Sequence, residues 1–541
     1  MLDEFFLLLP PSKAASKYLG AKIQKLLKKI VWSKLYSMYR IVIMSIYSVH
    51  RMETTINSFG VSNSMDNLAE YVLEKLRIMP EYARMYTRKN GVDLPKRRFY
   101  FSLRKKCSRF IKGDDSVRLV IVPGLRGTGK TTAILQLYRY LTEEMRVSQN
   151  SVLYIPCDEV VGIVGSRISD VIRTYFEKVL RKSPEILDDN VYILIDEAHF
   201  DKFWQTTVKV LYDRSRKVFI VVTGSSSVAM EVSPDLARRA EKEFVFPLNF
   251  SEYLLLKHHF FPPKYTARTL REAVFEGKFN KLYKLNDDLF VQSSKLPISL
   301  KTELVNFIES GGFAFGVNMR KEMVFERVRD ILDRIVRVDL PLVTNLKTES
   351  LQEITRLLAF LATQKPGGTS NVRLASELGI SSSTVNEFLG ALEKTLLIFK
   401  VLPLNGAKVT RKPWKYYYTT PTVVAAINWF AGTLRRDEVT GTLVETLVAS
   451  YLHRVTIALR MPYSINYDPK KEGVDFVLKN IVTGETIPIE VTSSVKGKDV
   501  KKVNKAMNNL NSEYGIVITL KGELEIRDDI CILPLYLFAF L

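Results

Sequence analysis

The chain is 541 residues long, and its 79 Lys+Arg against 58 Asp+Glu give a formal net charge of +21. A composition of 46% hydrophobic and 11% aromatic residues excludes wholesale disorder, and the length predicts about three or four domains. Three widely separated cysteines (Cys107, Cys157 and Cys531) exclude a disulfide-stapled secreted scaffold and point to a reducing, cytoplasmic setting, while the surplus positive charge calls for nucleic acid or an anionic membrane surface as partner.

The chain opens with a basic extension over 1–65. Residues 5–52 hold nine Lys/Arg and no acid. Ile23, Leu26, Leu27, Ile30, Val31 and Leu35 recur at helical steps with Lys22, Lys25, Lys28 and Lys29 between them, which predicts a basic amphipathic helix. Such a helix can lie on a membrane surface, on nucleic acid, or on its own protein. Alternatively, translation starts at Met52 or Met65 and the segment is not made. The best apolar run, Ile41 to Val49, is too short to cross a bilayer. A helical, basic lead-in over 66–115 follows. Residues 66–94 read as helix. A second acid-free run then sets Lys96, Arg97, Arg98, Arg104, Lys105, Lys106, Arg109 and Lys112 among Phe99, Tyr100 and Phe101. That mixture suits a nucleic-acid backbone with base stacking, and equally a solvated face over buried aromatics.

From Val117 short β-branched runs alternate with helical stretches: Val117–Val122, Val152–Ile155, Val191–Ile195, Val218–Val222 and Phe244–Phe246. They predict a parallel α/β sheet over 116–250. Gly124-Leu125-Arg126-Gly127-Thr128-Gly129-Lys130-Thr131 matches GxxxxGK[ST] in full, directly after a strand and before a helix over Thr132–Leu141. Glycines let the backbone wrap phosphate, and loop N–H groups point at the anion. Lys130 is expected to neutralise the β/γ-phosphates of ATP, with the Thr131 hydroxyl on Mg²⁺. The strand Val191–Asp196 ends in two acids, Asp196 and Glu197. Asp196 is the expected second Mg²⁺ holder and Glu197 the expected general base toward water. Thr223 and Ser225, at the tip of a further strand, are expected at the γ-phosphate or that water.

After Pro247 the chain reads as helical to about residue 365, where Lys365-Pro366-Gly367-Gly368 breaks it. Leu374, Ala375, Leu378, Gly379, Ile380, Ser381, Thr384, Val385, Phe388, Leu389 and Leu392 then have helix-turn-helix spacing. Ser381–Ser383 and Asn386 are the exposed candidates for phosphate or base edges. Lys408, Arg411, Lys412 and Lys415 follow, as a wing gripping phosphate would require.

In these motifs and their order, the sequence resembles the archaeal-type AAA-related P-loop ATPases that carry a C-terminal winged helix-turn-helix and a PD-(D/E)XK nuclease-like domain. The resemblance runs over residues 70–520. It rests on Gly124–Thr132, on Ile195–Phe200 with Trp204, on Leu211–Asp213, on Thr223–Ser227 and on Pro247–Leu254. It implies that Arg239 senses γ-phosphate, within one chain or from a neighbouring subunit of a homo-oligomer. The family's Gly-Arg stands here as Arg238-Arg239. Gly311-Gly312-Phe313 and Arg337-Val338-Asp339-Leu340 match its helical lid, with Ala314 where proline is expected. In the tail, Glu445, Asp475 and Glu490 match the acids of a nuclease-like metal site, and Thr492 stands where the family has lysine.

The expected fold is therefore α/β: a P-loop ATPase of the ASCE/AAA-like type with a parallel sheet (116–250), a helical lid (251–365), a winged helix-turn-helix (366–435) and a restriction-endonuclease-like α/β domain (436–541). The expected function is Mg²⁺-dependent ATP hydrolysis coupled to DNA binding through 96–112, 408–415 and 496–505. The alternatives are a nucleotide-gated protein or membrane scaffold, working through 1–52, and an ATP-controlled DNA nuclease.

Overall fold

The structure, a computed structural model, describes residues 64–224, 232–343, 350–364, 370–404, 414–435 and 437–541. The amphipathic segment expected over 1–52, Ser225, Lys408, Arg411 and Lys412 lie outside the described residues. Residues 68–541 form one compact unit.

Helix α1 (Ser64–Thr87) turns Leu68, Val72, Leu76, Met79 and Ala83 inward at helical spacing. It stops short of the expected residue 94 because Asn90 and Gly91, both at positive φ, turn a small hairpin that pairs 88–89 with 92–93. Helix α2 (Arg98–Ile111) buries Phe99, Tyr100, Leu103, Cys107 and Phe110. Most of its aromatics are thus core rather than a stacking platform, with Phe101 the exposed exception. Its charges are also largely spent. Lys96 and Arg104 pair with Glu144, Lys106 with Glu243, Arg109 with Asp114, and Arg97 with Glu252. The DNA contact expected from 96–112 loses most of its free charge to this chain's own acids.

The nucleotide-domain sheet consists of β1 (Leu119–Pro123), β2 (Val152–Pro156), β3 (Val191–Asp196), β4 (Val218–Gly224) and β5 (Glu241–Lys242). All pairings are parallel and the order is β2-β3-β4-β1-β5. Every residue of β1 to β4 is buried, because helices cover both faces. Leu119, Ile121, Ile155, Ile195 and Val222 serve one face, and Val120, Val122, Tyr154, Leu194 and Val221 the other. The strand expected over Phe244–Phe246 is displaced to the two-residue β5, and Val245 keeps a single bridge to Gly124. Helix α3 (Lys130–Arg139) follows β1 and gives way to a wider turn over Tyr140–Glu144. Helix α4 (Trp204–Arg214) precedes β4.

Helix α5 (Phe250–His258) begins in a reciprocal cap: Asn249 Oδ1 accepts from the Glu252 N–H at 2.8 Å, and Glu252 Oε2 accepts from the Asn249 N–H at 3.2 Å. The lid contains α6 (Leu300–Ser310) and α7 (Lys321–Arg334). Ala314 opens a short 3-10 turn behind an extended Phe313, a position that proline tolerates. Helices α8 (Asn371–Leu378) and α9 (Ser382–Lys394) meet at Gly379. They are followed by an antiparallel pair, β6 (Ile398–Pro403) and β7 (Lys415–Tyr418).

The C-terminal part starts with the long helix α10 (Asp437–Ala458). It continues with β8 (Tyr463–Tyr467), β9 (Phe476–Asn480), β10 (Thr486–Ser494), α11 (Gly497–Leu510), β11 (Gly515–Lys521), β12 (Glu525–Arg527) and β13 (Ile530–Pro534). β8 pairs in parallel with β6, so one eight-stranded sheet runs β12-β13-β11-β10-β9-β8-β6-β7. One hydrophobic core accordingly extends from Leu248 through Phe313, Phe388 and Leu447 to Leu541. The lid, the helix pair and the tail share this core although their motifs are separate in sequence.

Glu252 joins the two halves. Its carboxylate accepts from Arg97 Nε at 3.1 Å and Arg97 Nη2 at 2.9 Å, and from Arg454 Nη2 at 3.1 Å. Burial pushes its carboxyl up, and the two guanidiniums outweigh burial to hold it down at about 2. A depressed pKa gives stabilisation that is complete above the unfolded-chain value of about 4.3 and is lost as pH falls through about 2. Glu252→Gln is therefore expected to cost on the order of 3 kcal/mol at pH 7. Urea unfolding followed by circular dichroism should show the gap from wild type closing between pH 4 and pH 2.

Candidate nucleotide site

The loop between β1 and α3 carries the expected phosphate cradle. Gly127 and Gly129 adopt φ of +81° and +87°, where a side chain would strain the backbone. The N-terminus of α3 has no side-chain cap, so its N–H groups stay open to an anion. Lys130 is buried, and its Nζ donates to the Gly124 carbonyl at 2.8 Å and reaches the Leu125 carbonyl at 3.4 Å. Thr128 is held by its own hydroxyl on the Leu125 carbonyl at 2.7 Å. Thr131 and Thr132 stand in the first turn of α3.

Because β4 lies between β1 and β3, the Thr223 side chain arrives between the loop and the two acids. Its hydroxyl donates to Asp196 Oδ1 and accepts from the Glu197 N–H at 3.2 Å. Tyr154 OH donates to Asp196 Oδ2 at 3.0 Å, and the Thr131 hydroxyl also bonds to this carboxylate. Burial raises the Asp196 carboxyl, and neighbouring Glu197 raises it further. Glu197 sits at a left-handed φ of 51°, a turn that swings its carboxylate toward Lys130 Nζ at 4.0 Å and His199 Nδ1 at 3.3 Å. Burial pushes Glu197 up, but Lys130, His199, Arg126 and Arg334 together bring it below the usual range.

The lid touches the loop directly. Arg126 Nη2 pairs with Asp339 Oδ1 at 3.1 Å. A Cβ on Gly127 would stand 2.9 Å from Ile331 Cδ1 and 3.2 Å from the Phe315 ring. Leu125 packs into the core that holds the lid helices.

The structure thus brings Gly124 to Thr131, Asp196, Glu197 and Thr223 together. It does not bring Arg239 to them. That guanidinium forks onto Asp213, with Nε–Oδ1 at 2.7 Å, and donates to the Asp235 carbonyl at 2.6 Å. Tyr154, His199 and Asp339 were missed as site residues. Tyr154 had a signal, since its register opposite Leu194 puts it on the strand face shared with Asp196.

The second expected metal site is corrected in part. Among the described residues no group of three or more His, Cys, Asp and Glu is placed to hold a metal ion. Glu445 is engaged by Tyr417 OH at 2.6 Å and Lys415 Nζ at 3.5 Å, which also turns Lys415 from the expected phosphate grip. Asp475 and Glu490 remain neighbours: the Asp475 N–H donates to Glu490 Oε2 at 3.3 Å, and the Val491 N–H donates to Asp475 Oδ2 at 2.9 Å. Burial and Asp475 push Glu490 up to about 7, against the pull of Lys502, whose Nζ is 2.7 Å from Glu490 Oε1. At the helix pair, Ser381 is engaged as the cap of α9, accepting from the Thr384 N–H at 3.1 Å, and Asn386 is exposed and bonded to Asn371.

A parallel sheet with a glycine-rich loop, a capless helix start and paired acids at strand ends is a nucleotide-binding arrangement. Residues 116–254 match the family model described as an AAA domain. Residues 301–431 match a model described as a domain of unknown function (DUF8612). The chain is 29% identical to an uncharacterized protein of Methanocaldococcus jannaschii over 472 residues, covering 87% of this chain and 93% of that one. It is 24% identical to an uncharacterized protein of Haemophilus influenzae over 317 residues, 57% of this chain and 69% of that one. Among solved structures it is similar to the Aeropyrum pernix ORC1 protein in complex with DNA, at 14% identity and a TM-score of 0.29, over 64% of this chain and 96% of that one.

One hydroxyl orients both acids, so Thr223→Val is expected to cost about 1–3 kcal/mol in urea unfolding, while Thr223→Ser retains most of the stability.

Proposed function

We propose that the protein is a Mg²⁺-dependent ATPase whose nucleotide state is coupled to DNA binding by its C-terminal half. The observation that carries the reading is the convergence of Lys130, Thr131, Asp196, Glu197 and Thr223 at the carboxyl ends of parallel strands. Asp196 fits a metal: its charge is raised in energy by burial and by Glu197, and the Thr131 hydroxyl stands beside it as a second hard oxygen. Thr131 and Asp196 are the residues that would hold Mg²⁺, which when bound neutralises phosphate charge. Lys130 leaves the Gly124 and Leu125 carbonyls to meet the β/γ-phosphates. Glu197, kept ionised by Lys130, takes the proton of the attacking water at its carboxylate.

The DNA half of the reading is supported by the helix–turn–helix with its antiparallel hairpin, and by the open basic face of the tail. There Lys496, Lys498, Lys501 and Lys505 are exposed, and a cleft of about 340 Å³ is lined by Lys470, Lys471, Lys502 and Lys505 against two acids, Asp468 and Glu472. No helix among the described residues is long and apolar enough to cross a membrane.

The test is ATP turnover by the full chain with and without double-stranded DNA. Lys130→Ala is expected to lose both binding and turnover. Glu197→Gln is expected to keep ATP binding and lose about a hundredfold or more in rate. If turnover is intact while DNA leaves the rate unchanged and ATP leaves DNA affinity unchanged at fixed salt, the DNA half of the reading is rejected.

A second reading is favoured by Lys502. It supplies, from α11, the amine that Thr492 does not, beside Asp475 and Glu490. On this reading the tail nicks DNA. Plasmid incubated with Mg²⁺ or Mn²⁺ at pH 8 is then expected to be nicked. Asp475→Ala and Lys502→Ala should abolish nicking, and an uncut plasmid at pH 8 rejects the reading.

A further inference from the structure

The nucleotide site described above ends, by motif, at the lid. The hydrogen bonds do not end there. Arg97 precedes α2 and is buried, and it donates to four acceptors. Its Nη1 donates to the Thr128 carbonyl inside the phosphate loop. Its Nη2 donates to the Phe246 carbonyl at 3.0 Å and to Glu252 Oε2 at 2.9 Å, and its Nε to Glu252 Oε1 at 3.1 Å. Glu252 Oε2 also accepts from Arg454 Nη2, and Arg454 Nη1 donates to the Pro247 carbonyl at 3.0 Å. Arg454 belongs to α10, in the tail.

The contact at Thr128 has a defined geometric effect. The peptide unit linking Thr128 to Gly129 is planar and trans, so its N–H points opposite to its C=O. A guanidinium that fixes the Thr128 carbonyl therefore fixes the direction of the Gly129 N–H, one of the donors of a phosphate-binding loop. The planar fork of arginine suits this task, because it meets a carboxylate on one edge and carbonyls on the other.

Further contacts make the junction stiff. Tyr451 OH, one turn before Arg454, accepts from the Phe250 N–H at 2.6 Å. Phe246 meets His453 edge to face with centroids 6.3 Å apart, and Phe250 meets Phe540 at 5.3 Å. The segment 246–254 is thus gripped by the tail on one side and, through Arg97, by the phosphate loop on the other.

We propose that Arg97 is a positioning residue for the phosphate loop, and that Arg454 acts on the loop through the carboxylate both arginines share. Since it deepens the ATPase reading, the proposal rests on that reading for its nucleotide consequence, but not for its effect on the loop itself. The line Arg454–Glu252–Arg97–Thr128 makes the orientation of the Gly129 amide depend on how the tail is seated. Conversely, phosphate filling the loop changes how firmly Glu252 is held for Arg454.

The test uses full-length Arg454→Gln, which touches no residue of the loop, beside Arg97→Lys and the double variant. Amide hydrogen exchange of peptides covering 124–131 is measured without nucleotide, and the affinity for a fluorescent ATP analogue is measured in parallel. Arg454→Gln is expected to speed exchange at 124–131 and to weaken the analogue by about three- to thirtyfold. The double variant is expected to add little to Arg97→Lys, because the two act in series. Faster exchange confined to 246–254 and 437–458, with 124–131 at the wild-type rate, overturns the proposal. If Arg454→Gln does not fold, Arg454→Lys, which keeps the charge and loses the fork, gives the same comparison. A wild-type chain that fails to bind the analogue rejects the ATPase reading, while the exchange rates still decide the coupling.

Discussion

A carboxylate removed from water must find positive charge or become neutral, and Glu252 finds it on two sides. That requirement organises the molecule. It pulls Arg97, at the start of α2, under the phosphate loop, and it pulls Arg454, on α10, onto the exit of the parallel sheet. Ion triads of this kind add little net stability over a packed apolar alternative, but they tolerate only one arrangement of their members. The same glutamate also completes the cap of α5, so helix start, sheet exit and tail are set by one side chain.

The nucleotide site obeys a related economy. Asp196 and Glu197 are adjacent acids of opposite tendency, one raised by burial and the other lowered by Lys130 and its neighbours. Adjacent carboxylates driven apart in pKa can take different roles, one toward a cation and one toward a proton. Thr223 holds both in register, the first by its hydroxyl hydrogen and the second through its oxygen. This explains why the strand that carries it must lie between β1 and β3. The lid closes over the loop from above, through Arg126–Asp339 and the packing of Ile331 and Phe315 on Gly127.

Local chemistry was legible in the sequence and distant chemistry was not. The phosphate loop, the strand-end acids and Thr223 were readable because each is a short pattern whose neighbours fix its context. Arg97, Glu252 and Arg454 were not, since 155 and 202 residues separate the contacts that define them. The run from Lys96 to Lys112 left two readings open because basic residues between aromatics describe a stacking surface and an amphipathic helix alike. The spacing of Phe99, Leu103, Cys107 and Phe110 already carried the second meaning. Lys502 was read as one of several phosphate contacts, while its place beside Glu490 required knowing that α11 packs back on β10. Arg239 was assigned by resemblance, and within the chain its guanidinium forks onto Asp213.

The eight-stranded sheet makes the helix pair and the tail one beam, yet that beam has a thin place. β6 meets β8 over two register pairs, Leu402 with Asn466 and Pro403 with Tyr467, and Pro403 has no N–H to offer across the join. The flanking ladders β6–β7 and β8–β9 each hold four register pairs, so the join between the helix pair and the tail rests less on backbone pairing than on the core they share. Separating the two pieces at this seam would break fewer backbone pairs than opening either neighbouring ladder.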